Sequence, residues 1–78
     1  MKKIAVIGAG SWGTALAVML EQDGHDVTMW ARNTEAVETM KKTKENKQYL
    51  PGVLLGENID VTTDAQKAIS GKEIVISA

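Results

Sequence analysis

Six residues near the N-terminus, Gly8-Ala9-Gly10-Ser11-Trp12-Gly13, constrain this chain more than any others. They follow the apolar run Ile4-Ala5-Val6-Ile7 and open a stretch with helical spacing. A GxGxxG placed between a buried strand and an amphipathic helix is a dinucleotide-binding signature. Its spacing has a physical basis. Gly8 allows a tight turn off the strand, Gly10 lets backbone approach a pyrophosphate, and Gly13 lets the helix pack closely on the strand. The first backbone N–H groups of the helix then face the phosphates, and the helix dipole favours negative charge there.

The rest of the chain alternates in type. Lys3 to Ile7 reads as a strand apolar on both faces, as central parallel strands are. From Ser11, the residues Trp12, Ala15, Leu16, Met19 and Leu20 fall on one helical face and are expected to point inward. Gly24 ends that helix, and His25 follows in a solvated turn. Val27 to Trp30 forms the second strand. Asn33 or Thr34 caps the next helix, whose acidic start (Glu35, Glu38) and basic end (Lys41, Lys42, Lys44) match the helix dipole. Ala36, Val37 and Met40 are its inner face.

Residues 45–58 have no clear period. Their apolar segment Tyr49-Leu50-Pro51-Gly52-Val53-Leu54-Leu55 is expected to fold back on the domain as a long loop. Ile59 to Thr62 is a short third strand. Thr63-Asp64-Ala65-Gln66 fits a capping box with Thr63 as the cap, and Gly71 ends the short helix that follows. Glu73 to Ser77 is a fourth strand. The expected fold is α/β: the first half of a Rossmann-type doubly wound parallel sheet, βαβαβαβ, with strand order 3-2-1-4. Ile74-Val75-Ile76 then forms an apolar edge, a template for self-association.

Composition narrows the functions. The net charge is -1 with Lys and Glu interspersed, which is no nucleic-acid surface. With no cysteine and one histidine, no metal site is expected. Met1-Lys2-Lys3 and Ala15-Leu16-Ala17 mimic a leader and its cleavage site. Glycines at 8, 10 and 13 interrupt the apolar run, so no leader, no membrane partner and a cytoplasmic location are expected. Beyond the second strand, the ribose-reading acid of NAD enzymes is missing. The neutral Ala31 is followed by Arg32, which suits the 2′-phosphate of NADP, or use of both NADP and NAD.

These residues resemble the N-terminal part of the bacterial-type NAD(P)-dependent glycerol-3-phosphate dehydrogenases. The likeness rests on Ile4 through Ala17, on Trp30-Ala31-Arg32-Asn33, and on Asn46 with Tyr49-Leu50-Pro51-Gly52 ahead of Asn58-Ile59 and Thr62-Thr63-Asp64. It implies cofactor-binding positions at Gly8, Gly10, Ser11, Trp12, Gly13, Arg32, Asn33 and Tyr49. Ser11 and Trp12 would meet the phosphates, Arg32 the adenosine end, and Tyr49 the cofactor from the long loop. Core packing is the other reading of Trp12 and Tyr49. The implied reaction interconverts sn-glycerol 3-phosphate and dihydroxyacetone phosphate for glycerophospholipid synthesis. Family members carry a helical C-terminal domain with the catalytic lysine. Residues 1–78 are thus expected to be a partial dinucleotide-binding domain, a fragment without catalytic residues that is itself inactive and self-associates or dimerises. Two other readings stand beside this one. They are half of another dehydrogenase, such as a ketopantoate reductase or a sugar dehydrogenase, and a non-catalytic dinucleotide-sensing module.

Overall fold

The structure, a computed structural model, describes residues 1–78. Its centre is β1 (Lys3–Ile7), flanked by β2 (Asp26–Trp30) and β6 (Ile74–Ser77), with β5 (Ile59–Thr62) on the outer side of β2. All pairings in this four-stranded sheet are parallel, in the order β5-β2-β1-β6. This is the expected 3-2-1-4 arrangement of a half Rossmann sheet, with a small hairpin inserted before the third parallel strand. In register, Val6 lies beside Met29 and Ile76, and Met29 beside Val61.

One face of the sheet carries α1 (Ser11–Gln22) and α2 (Thr34–Thr43) over a core of Val6, Val27, Met29, Ile59 and Val61 with Ala17, Val37, Met40 and Leu55. Strand alternation turns Ala5, Thr28 and Thr62 to the other face, where α3 (Ala65–Ile69) packs with Ala68 fully buried. Small strand residues there let a five-residue helix lie close to the sheet.

The inner face of α1 differs from the expected one. Gly13, Thr14 and Ala17 are its buried residues, whereas Trp12 is 67% and Met19 55% exposed. Ala15 is exposed as well, and Leu16 and Leu20 are half-buried. Hydropathy picks out bulky side chains, but the helix crosses β1 so closely that only small ones fit beneath it. His25 also differs from a freely solvated side chain: its Nδ1 accepts the Lys2 backbone N–H at 3.0 Å, tying the end of α1 to the start of β1.

α2 behaves as its sequence predicts. The Asn33 side chain accepts the Ala36 N–H at 3.1 Å, and Val37 and Met40 are buried. The helix ends at Lys44 in the left-handed region, whose N–H donates to the Met40 carbonyl at 2.8 Å. The expected long loop is instead an antiparallel hairpin of β3 (Glu45–Asn46) and β4 (Leu50–Leu54). Pro51 and Gly52 hide it from any period-2 reading. It is held across the hairpin, where the Glu45 carboxylate accepts the Gly52 N–H at 2.8 Å, and just beyond β4, where Leu55 is buried in the core.

The cap of α3 is Asp64, one residue beyond the expected Thr63. Its carboxylate accepts the Lys67 N–H at 3.1 Å, and its own N–H donates to Thr62 Oγ1 at 3.0 Å. An Asp cap contributes about 1 kcal/mol, and an exposed side chain with no bond contributes little. Asp64→Ala is therefore expected to destabilise the fold by about 1 kcal/mol in urea unfolding, and Thr63→Ala by less than about 0.5 kcal/mol.

Candidate functional site

A parallel sheet delivers its strand ends to one edge, and the turns leaving β1 and β2 meet there. The Gly8 N–H donates to the Trp30 carbonyl at 2.9 Å, which locks the ends of the two strands together. Gly8 has φ +122, and a Cβ on it would stand 2.7 Å from the Ala78 carbonyl oxygen. A Cβ on the buried Gly13 would collide with the Gly8 carbonyl oxygen. These two glycines are required by the protein itself.

Gly10 is different. It takes an ordinary φ of -75, and a Cβ there would meet nothing within 4 Å. It is also the N-cap of α1, which has no side-chain cap, while α2 and α3 are capped by Asn33 and Asp64. The first-turn N–H groups of α1 have no partners within their helix, so they face open space with the positive end of the dipole. A phosphate or pyrophosphate fits that arrangement.

Beside Gly10, over the ends of β1 and β2, lies a cleft of about 510 Å³. Its floor is Gly8, Ala9 and Gly10, and its far wall is Trp30, Ala31, Arg32 and Asn33. Met40 and the hairpin residues Asn46, Gln48 and Tyr49 close the remaining side. The size lies within the range of small-molecule sites. Of the expected site residues, Gly8, Gly10, Arg32, Asn33 and Tyr49 line the cleft; Ser11, Trp12 and Gly13 do not. Ser11 is exposed on the first turn of α1, Trp12 neither packs in the core nor faces the cleft, and Gly13 lies under the helix. Tyr49 is 47% exposed at the cleft margin, so core packing does not account for it. Arg32 is exposed, makes no ion pair with a carboxylate, and follows the buried Ala31.

Sequence reasoning gave Asn46 no role. It is 5% exposed, and its side-chain amide bonds to the glycine loop across 37 positions of sequence. No local pattern marks such a residue, because its partners are set by the hairpin. The Trp30 indole N–H also spans elements, donating to the Thr63 carbonyl at 2.8 Å and fixing the end of β2 beside the cleft.

Residues 3–78 match the family model described as NAD-dependent glycerol-3-phosphate dehydrogenase N-terminus. The chain belongs to this family. It is 46% identical over 78 residues to a glycerol-3-phosphate dehydrogenase (NAD(P)+) of Bacillus velezensis, all of this chain and 23% of that relative. A Xanthomonas oryzae enzyme of the same name is 52% identical over 68 residues, 87% of this chain and 20% of its own length. The chain thus spans about a fifth to a quarter of the relatives it matches. Among solved structures, the glycerol-3-phosphate dehydrogenase of Coxiella burnetii superposes with a TM-score of 0.92 at 33% identity, covering 97% of this chain and 23% of that one. The enzyme of Saccharomyces cerevisiae gives 0.82 at 27% identity, covering 99% and 26%.

The glycines separate in a simple test. Gly13→Ala is expected to destabilise the fold by at least about 1–3 kcal/mol, because its obstacle is backbone. Gly10→Ala is expected to cost less, about 0.5–1 kcal/mol, since its Cβ enters open space and only alanine's poorer fit at an N-cap is lost. Urea unfolding of both variants checks the contrast.

Proposed function

We propose that this chain is the dinucleotide-holding part of an NAD(P)-dependent glycerol-3-phosphate dehydrogenase, which interconverts sn-glycerol 3-phosphate and dihydroxyacetone phosphate. The observation that carries the reading is the bare Gly10 at the uncapped start of α1, opening onto a cleft with Arg32 on its rim. The open space over Gly10 fits the cofactor's pyrophosphate, held by the first-turn N–H groups of Ser11, Trp12 and Gly13. In this role Ser11 and Trp12 act through backbone, which is compatible with their side chains lying outside the cleft. Arg32 and Asn33 receive the adenosine end, and Tyr49 covers the cofactor from the hairpin. When bound, the nicotinamide accepts or donates the hydride.

Hydride transfer also needs a general base and a substrate held in near-attack geometry. The reading places both outside residues 1–78 and makes these residues a partial dinucleotide-binding domain. No helix here is long and apolar enough to cross a membrane. The reading places the enzyme in the cytoplasm, serving glycerophospholipid synthesis. Self-association through β6 belongs to the same reading: this strand pairs only with β1, and its Val75 is 52% exposed.

Arg32 further supports NADP over NAD. No carboxylate stands at Ala31 to take the ribose 2′-hydroxyl or repel a 2′-phosphate. A hydrogen bond to a charged group contributes about 1.5–3 kcal/mol, so Arg32→Ala is expected to weaken NADPH roughly ten- to a hundredfold. NADH, which lacks the 2′-phosphate, loses far less. Titration of both cofactors into the full-length protein checks this, and equal losses would reduce Arg32 to stacking on the shared adenine. Gly10→Ala is expected to abolish binding of both. Undiminished binding there would remove the phosphate role of the loop.

A further inference from the structure

We infer that Asn46 is a positioning residue for the phosphate-binding loop, acting through the Ala9 peptide rather than on the ligand. This rests on the proposed dinucleotide site. The Asn46 side-chain nitrogen donates to the Ala9 carbonyl at 2.8 Å and to Thr14 Oγ1 at 2.9 Å. Thr14 Oγ1 in turn donates to the same Ala9 carbonyl at 3.3 Å. A carbonyl oxygen only accepts, so the amide face turned to Ala9 is the NH2 group. Both of its N–H groups are then consumed inside the protein, and none is left for a cofactor.

The consequence lies in the peptide plane. In a trans peptide the C=O and the following N–H point in opposite directions. Holding the Ala9 carbonyl toward Asn46 therefore turns the Gly10 N–H the opposite way, and no protein acceptor takes it. Gly10 has no side chain to restrict rotation of this plane, and glycine at such a position is conformationally free. Two donors from outside the loop supply the restriction instead. Thr14 comes from the first turns of α1 and is fully buried; Asn46 comes from β3. The hairpin thus sets the orientation of the loop that binds phosphate, which gives its insertion before the third parallel strand a function.

Asn46→Asp tests this with little change in size. A carboxylate facing the Ala9 carbonyl cannot donate and repels it, so the peptide plane is released. The readout is titration of the full-length protein with NADPH and with adenosine 2′-monophosphate, which lacks a pyrophosphate and engages only the Arg32 side of the cleft. The expected result is an NADPH affinity lowered roughly ten- to a hundredfold, with adenosine 2′-monophosphate binding changed by less than about twofold. Asn46→Leu removes the donors without adding charge and is expected to give the same split, which keeps the test open if the aspartate variant unfolds. Equal losses for both ligands, tracking a fall in melting temperature, would make Asn46 a purely structural residue and overturn the inference. Unchanged NADPH binding would overturn it too. Wild-type protein that binds neither ligand would instead overturn the proposed function, so the two failures are distinct.

Discussion

The close crossing of α1 over β1 is the contact on which the rest of the structure depends. Gly13 lies against the Gly8 carbonyl with no room for a methyl group. That approach brings the first turn of α1 to the end of the sheet, directly over the turn between strand and helix. It also dictates a small inner face of Gly13, Thr14 and Ala17, with the fully buried Met29 and Val6 supplying the bulk from the sheet side. A wider crossing would bury more of α1's large side chains but would move its N–H groups away from the cleft.

The three helix starts divide into two kinds. Asn33 and Asp64 satisfy their own helices, and each contributes to stability in the ordinary way of a cap. α1 forgoes that contribution, and its first-turn donors keep no side-chain acceptor. With glycine at the N-cap, the domain gives up only about a few tenths of a kcal/mol by this omission. The omission is understandable when a bound dinucleotide restores the missing partners and stabilises the folded state by mass action. The surrounding bonds are consistent with this division. Trp30 and Asn46 use their side-chain donors to fix backbone at the cleft walls, and Arg32 is left unpaired on the rim.

Much of the fold was legible because strands and turns carry local signals. The run Ile4 to Ile7, the glycine spacing, the Asn33 cap and the inner face of α2 all stand where their local chemistry puts them. The misreadings share one cause, which is competition between local preference and long-range geometry. Trp12 and Met19 have the right helical period for a core, yet the crossing distance excludes them. Thr63 and Asp64 are both competent caps, and the hydroxyl of Thr62, held in β5, receives the Asp64 N–H and favours the later start. In the candidate site, motif and charge pointed to Gly8, Gly10 and Arg32, which line the cleft. Asn46 was not, because an asparagine in an aperiodic stretch has no meaning until its partner across the fold is known.

By itself, the sequence determined the parallel α/β alternation, the order of the four parallel strands and the glycine turn between β1 and α1. Each follows from signals that act within a few residues: apolar runs, caps, and glycines whose missing side chains permit a turn or an approach. Only the tertiary structure decided which face of α1 is inside, that residues 45–54 form a hairpin, and that its Asn46 holds the Ala9 carbonyl. Those outcomes depend on distances between elements far apart in the chain. Such distances are fixed by close packing of the whole sheet and its helices, which no local window contains.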